Sequence, residues 1–352
     1  MSLNEEPLSS WTNTVQQRLD AALKKCSGEA WSVVRRWIER GRICVDGELC
    51  TDPAQLARPG QRLELHAQGQ PKQRARDSIS ERIVYRDAHL FVVNKPAGLS
   101  TVPFDKDERD TLEARLHRYI SELNRQRQAG SNSANRQTRK APPQRALEAL
   151  LVHRLDRNTS GLLLFASHRE AQRRLKSALR QQTRFATELE PSSSISALPF
   201  DEKCIQRSYL ALVHGHIERP QLYRSHLVAD RGDGRRGSAE YARGRGKSCE
   251  EGQLAITTVE PVRQFSSATL VSCRLFTGRT HQIRIHLAEA GHPLLGETGY
   301  LKGFTAPLIS APRQMLHAAS LAFIHPFTGQ KMSFEAPLEA DMQRMLEVLS
   351  QS

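Results

Sequence analysis

The chain has 352 residues, 38% of them hydrophobic and 25% charged, which is enough for about two domains with substantial cores. Lys and Arg outnumber Asp and Glu by 51 to 38, and the resulting charge of +13 favours a polyanionic partner, nucleic acid ahead of a membrane surface. No apolar run approaches the ~18 residues that would cross a bilayer, and the N-terminus lacks the basic start and apolar stretch of a secretory leader. The six cysteines form no CxxC pair, so a reduced, cytoplasmic protein without structural zinc is expected.

Val15, Leu19, Ala22 and Leu23 recur at helical spacing at the start of the chain. A second helix is predicted over 30–40, with Val33, Val34, Trp37 and Ile38 on one side and Gly41 as its stop. Ile43–Val45 and Glu48–Cys50 flank Asp46-Gly47, a pair suited to a type I′ hairpin turn, and Arg62–Leu65 follows Pro59-Gly60 as a further strand. Arg35, Arg36, Arg40 and Arg42 gather at the end of the second helix, away from its apolar stripe; a solvated face and a phosphate-binding surface both fit such a run. This layout, with Arg18-Leu19-Asp20, the run from Arg40 to Gly47, and Pro59-Gly60-Gln61-Arg62-Leu63, resembles the S4 RNA-binding domain. The resemblance assigns residues 1–68 to such a domain, of small α/β type, and its four clustered arginines to RNA binding. Residues 25–31 depart from the Ser/Arg-rich form common there.

Residues 68–77 are polar, basic and nearly without apolar side chains, which makes 69–79 a linker. Strands follow at Ile83–Tyr85 and Leu90–Asn94, the second ended by Pro96 and Gly98. A helix is predicted over 111–123. The segment 124–145, with six basic residues and no acidic ones, reads as an insertion that is disordered or ordered by RNA, and 183–201 as a second. Further strands are predicted at Tyr209–Val213, Ala255–Val259, Ala268–Leu275, Leu316–Ile324 and Lys331–Phe334, with one helix over 282–290 entered by a turn at Gly278. Many strands and few helices indicate an α+β domain over 80–352 built on a mixed, mainly antiparallel sheet.

The string from His153 to Leu162 sets one carboxylate, Asp156, on a short turn just ahead of the apolar run Leu162–Ala166. That position suits nucleophilic or acid/base work, or simply a surface turn. Together with Val93–Gly98, Arg207–Val213, Thr277–His286 and Leu316-His317-Ala318 followed by His325-Pro326 and Thr328-Gly329, it resembles, in order, the RNA pseudouridine synthases of the large-subunit rRNA type (RluA type). The reaction implied breaks the C1′–N1 bond of a uridine and rejoins C1′ to C5. No hydride or phosphate moves, so no cofactor is expected.

The resemblance further implies that Asp156 is the catalytic carboxylate, acting at C6 or at C1′, and that Arg284 pairs with it through its planar fork. It implies that Tyr209 stacks on the target ring and that Arg154 helps to push the nucleotide out of its stack. His153, Thr159, Arg279, His281 and Gln282 lie within the same strings and are expected to bind substrate. The partner is then RNA, either rRNA or tRNA, met by a monomer with no membrane and no metal. His281 and His286 are five apart, and His214-Gly215-His216 lacks a third ligand. The Gly-rich segment 232–237 lacks a phosphate-loop pattern and, with Arg224, Arg231, Arg243, Arg245 and Lys247, suits RNA phosphates or solvent. Two other classes compete. A non-catalytic RNA-binding or ribosome-assembly protein would need none of Asp156, Tyr209 and Arg284. A hydrolase of the glycosidic bond would need a second acid or base, and no second Asp or Glu is evident near the matched strings.

Overall fold

The structure, a computed structural model, describes residues 7–50, 53, 55–67, 79–104, 108–134, 146–188, 204–231, 234–242 and 252–351. They fall into two compact units, Met1–Ser78 and Ile79–Ser352. Residues 69–78 of the expected linker 69–79, residues 135–145 and 189–201 of the two expected insertions, and Arg243, Arg245 and Lys247 lie outside the described residues, while Ile79 opens a 3-10 turn, Ile79–Arg82, of the second unit.

In the first unit β1 (Ser9–Thr12), β6 (Arg62–Leu65), β3 (Ile43–Val45) and β4 (Glu48–Cys50) form one sheet in that order. β2 (Gln17–Arg18), which leads directly into α1 (Leu19–Ser27), pairs with β5 (Leu56–Ala57), and α2 (Trp31–Glu39) follows α1. Leu19, Ala22 and Leu23 of α1 meet Val34 and Ile38 of α2 over Ile43 and Leu63, all fully buried. The helix begins at Leu19, so Val15 does not continue its stripe: it precedes β2 and is 47% exposed. Asp46 (φ 52°) and Gly47 (φ 81°) are both left-handed, as the type I′ hairpin requires. Of the four clustered arginines, Arg35, Arg36 and Arg40 are exposed and Arg42 is half-buried. Arg35 pairs with buried Asp20 at 3.3 Å, and Arg42 donates from Nε to the His66 carbonyl at 2.8 Å.

The second unit is built on one eleven-stranded sheet. Its strands are β7 (Ile83–Arg86), β8 (Leu90–Lys95), β9 (Leu150–Leu151), β10 (Ser160–Ala166), β11 (Gln206–His214), β12 (Gln221–Val228), β13 (Gly237–Ser238), β14 (Gln253–Gln264), β15 (Ala268–Leu275), β16 (Leu316–Ile324) and β17 (Lys331–Glu335). The helices are α3 (Leu112–Ala134), α4 (Arg169–Glu188), α5 (Ala239–Ala242), α6 (Gln282–Glu289) and α7 (Ala340–Gln351). The main order is β13-β12-β14-β15-β11-β16-β10-β8-β7, with β17 on β16 and β9 on β10. Every pairing is antiparallel except β10 with β16, where Ser160 faces His317 and Gly161 faces Ala318.

That junction explains the unbroken apolar run after Asp156. Leu163 and Phe165 point to the face covered by Leu112, Leu116 and Ile120 of α3, while Leu162, Leu164 and Ala166 point to the face covered by Ala171 and Leu175 of α4. Burying each such Leu or Phe contributes about 1.5–3 kcal/mol. Gly161 (φ 107°) admits the backbone of β16: a Cβ there would lie within 3 Å of three backbone atoms of Ala318.

Two helices run further than the sequence implies. α3 runs on to Ala134, so 124–134 is helical and not an irregular insertion, and α4 extends to Glu188 across 183–188. Local composition suggested loops because these stretches carry little apolar content, but each continues a helix whose earlier turns are anchored on the sheet.

Candidate active site

The turn that carries Asp156 is fixed from several sides. The Thr159 amide donates to the Asp156 carbonyl at 3.1 Å, closing the turn. Thr101 Oγ1 accepts from the Leu155 amide at 3.2 Å and donates to the Leu155 carbonyl at 2.7 Å. Lys95, at the end of β8, is fully buried, and its Nζ donates to the carbonyls of Pro96, Leu99 and Arg157 at 2.8–3.0 Å. Burial pulls its pKa down to about 7, opposed by the charge of Asp156. Arg313 donates to the carbonyl of Asn158 and to Ser160 Oγ, while its Nε and Nη2 hold Asp341 of α7 at 2.6 and 2.9 Å. None of these three anchors was assigned a role from sequence. Lys95 sat inside a matched string, but nothing in the pattern showed which carbonyls it would meet.

Asp156 lines a cavity of about 390 Å3. Opposite it, Arg284 of α6 places Nη1 3.5 Å from Asp156 Oδ2, and His281 places Nε2 3.9 Å from the same oxygen. The planar fork of Arg284 does not grip Asp156, as the sequence had implied. Nε and Nη2 go instead to Glu297, both at 2.8 Å, leaving Nη1 for Asp156. Glu297 is a second buried carboxylate by the matched strings, contrary to expectation, and it also accepts from the amides of Thr298 and Gly299 at 3.0 and 2.7 Å. It escaped notice because it lies eleven residues past His286, outside the matched string, on a loop that folds back under α6; its one sequence signal is the flanking Gly296 and Gly299. Burial alone would raise the Glu297 pKa, but the Arg284 hydrogen bonds and charge outweigh it and hold the carboxyl below its usual range. Burial likewise disfavours the Arg284 charge, and Glu297, then Asp156, more than reverse this. A glutamate so fully committed to Arg284 and two amides is charged and occupied, which removes it as the free second acid that a hydrolase would need.

His281 adopts a left-handed conformation (φ 60°) at the start of α6, a placement uncommon for a residue with a Cβ. This residue, not Gly278, makes the entry bend. Its Nδ1 meets the Tyr300 hydroxyl at 2.6 Å, and Tyr300 lies over the Arg284 guanidinium at 5.1 Å. Burial lowers the His281 pKa and pushes that of Tyr300 up to about 12. Tyr209 of β11 and His153 line the same cavity. Burial raises the Tyr209 pKa, and burial with the Arg207 charge second pulls His153 down to about 3, so that imidazole is neutral and its Nε2 accepts from the Leu164 amide. Arg154 is exposed at the cavity, Thr159 is buried in its wall, and Arg279 donates from Nε to the Leu254 carbonyl at 3.0 Å. Gln282 differs from expectation. Its Oε1 accepts from Thr277 Oγ1 and the Arg279 amide, and its Nε2 donates to the Ile256 carbonyl and Thr257 Oγ1. With its amide fully satisfied, Gln282 is a strut that ties α6 to β14 and has no group left for substrate. The cavity thus gathers Asp156, Arg284, Tyr209, His281, His153, Arg154, Thr159 and Arg279 from segments far apart in sequence.

Residues 89–289 match the family profile of RNA pseudouridylate synthase, and residues 17–63 match the S4 domain. The ribosomal large subunit pseudouridine synthase D of Nitrosomonas europaea is 32% identical over 349 residues, covering 96% of this chain and 86% of that one. The uncharacterized RNA pseudouridine synthase YlyB of Bacillus subtilis is 30% identical over 354 residues, covering 99% of each. The solved human RNA pseudouridylate synthase domain containing 4 shares the fold with a TM-score of 0.53 at 19% identity, over 77% of this chain and 94% of that one. Fold and sequence therefore define an isomerase that acts on RNA. The chain belongs to the RNA pseudouridylate synthase family, with an S4 domain ahead of a mixed, mainly antiparallel catalytic sheet, and is an RNA pseudouridine synthase.

Proposed function

We propose that the protein isomerises uridines of large-subunit ribosomal RNA, with Asp156 as its catalytic carboxylate. The observation that carries the assignment is the Asp156 carboxylate in the cavity, with the free Nη1 of Arg284 3.5 Å away. A carboxylate that must stay ionised while a nucleotide covers it needs such a cation. The target uridine leaves its stack and enters the cavity, Arg154 at the opening takes its place, and Tyr209 lies against the ring. Asp156 then supplies an electron pair at C6, or at C1′ as the base departs. The C1′–N1 bond breaks, the ring turns, C5 bonds to C1′, the bond from Asp156 to carbon breaks to restore the free carboxylate, and C5 gives up its proton while N1 gains one; the atoms balance without any co-reactant. The rRNA assignment follows the names of the relatives, which describe large-subunit synthases. Residues 1–68, with Arg35, Arg36 and Arg40 exposed, serve as the RNA-holding unit, 69–79 as the linker and 80–352 as the catalytic part.

The test uses RNA labelled with tritium at uracil C5, taken from cells lacking this gene and separated into large-subunit rRNA and tRNA. Tritium release from rRNA by the wild type, and none by Asp156→Ala although that variant still binds, is the expected result. Release from tRNA alone would overturn the substrate assignment, and turnover by Asp156→Ala would overturn the assignment of the carboxylate.

A further inference from the structure

Arg207 is the second residue of β11, two positions before Tyr209 and on the same side of the strand. It is 6% exposed and lines the catalytic cavity. Arg284 and Arg313, also buried, each face a carboxylate: Glu297 in one case and Asp341 in the other. Arg207 does not. Among the described residues no carboxylate pairs with it, its Nη2 makes two long hydrogen bonds of 3.4 Å to Gln182 Oε1 and the Thr277 carbonyl, and its Nε has no partner. A cation taken out of water without a counter-ion is held at a cost, and a hydrophobic residue of similar size is often as stable or more so. The surroundings nevertheless make room for it. A Cβ at Gly278 would come within 2.9 Å of Arg207 Nη1, so the Thr277–Arg279 segment lies close against the guanidinium and a side chain at 278 would displace it.

A buried, under-partnered guanidinium opening on a cavity is a site prepared for an anionic oxygen. The nucleotide brings two sources. One is the phosphate beside the flipped uridine. The other is a uracil carbonyl, which becomes negative whether the electron pair of the C1′–N1 bond moves onto the base or a carboxylate adds to C6. We propose that Arg207 is the anion-receiving group of this cavity and takes a negatively charged oxygen of the target nucleotide. The inference rests on the reading that this cavity holds the target uridine.

Arg207→Met and Arg207→Lys test it, each measured for thermal unfolding, for RNA affinity and for the single-turnover rate at saturating RNA. Arg207→Met is expected to unfold at or above the wild-type temperature, and its rate divided by Kd is expected to fall about 100- to 1,000-fold, as when an oxyanion donor is removed. Arg207→Lys restores part of that. A fall in affinity alone identifies the phosphate as the partner, and a fall in the saturated rate alone identifies the uracil oxygen. A stable Arg207→Met with affinity and rate within about twofold of wild type would overturn the proposal. So would a Met variant that unfolds readily, because the charge would then be supporting the fold. Asp156→Ala, run alongside, separates the two readings: turnover by that variant refutes the assignment of the cavity, whatever Arg207 does.

Discussion

Replacing Glu297 with Gln removes a charge and little else, and the consequence can be worked from its contacts. Oε1 serves Arg284 Nη2 and the amides of Thr298 and Gly299, and Oε2 serves Arg284 Nε. In Gln one of these positions becomes an amide NH2 that must face an N–H donor, so at least one hydrogen bond turns into a repulsive contact. Breaking a buried ion pair costs about 3–5 kcal/mol, and the hydrogen bonds that Gln can keep place this case near 3 kcal/mol. For a unit of this size that lowers the melting temperature by roughly 6–12 °C. With its fork released, Arg284 no longer holds Nη1 toward Asp156, so the turnover rate should fall while RNA affinity holds. The pH dependence has a definite sign. The Glu297 pKa is lowered in the folded protein, so its contribution is complete above the unfolded carboxyl value, about 4.3, and is lost as pH falls through the folded value. Urea unfolding of both proteins from pH 7 to 3, beside tritium-release and RNA-binding assays, measures these outcomes. Wild-type stability and turnover in Glu297→Gln would refute the idea that Glu297 holds the arginine.

Three further outcomes are expected. Gly161→Ala should lose most of its folded population at 37 °C, read by circular dichroism, because the new Cβ meets the Ala318 backbone where β10 pairs with β16. Lys95→Met should leave the Pro96, Leu99 and Arg157 carbonyls unpaired and lower stability by about 2 kcal/mol or more, with turnover falling further than RNA affinity. His286 is buried between Thr257 and Ser225 with its pKa pulled down to about 4, so its stabilisation is complete above about pH 6.5 and fades toward pH 4. Between pH 7.5 and 5 that is about 2 kcal/mol, and His286→Gln should flatten the urea-unfolding profile by this amount.

The elements with strong local patterns were legible in the sequence. Alternation and turn chemistry located the Ile43–Cys50 hairpin, β8, β11, β15 and β16, and the motif order located Asp156, Arg284 and Tyr209 in one cavity. What could not be read is set by tertiary contact. The extension of α4 through 183–188 follows from its early turns packing Ala171 and Leu175 on the sheet, while its later residues are merely polar. Gln282 carries the same letters whether it faces substrate or, as here, saturates its amide on β14. Glu297 and Arg313 act across chain separations that no local pattern encodes.

The bond from Arg313 to the Asn158 carbonyl spans 155 positions, and the same guanidinium is held by Asp341 in the last helix. During synthesis the Asp156 turn therefore leaves the ribosome well before Arg313 and Asp341, the last of its anchors. At the usual elongation speed the interval is about 8–30 s. The S4 unit, complete by residue 78, can fold in that time. A nascent chain would thus present its S4 unit while the Asp156 turn, already held by Lys95 and Thr101, still lacked its Arg313 anchor, which forms only when the final helix supplies Asp341.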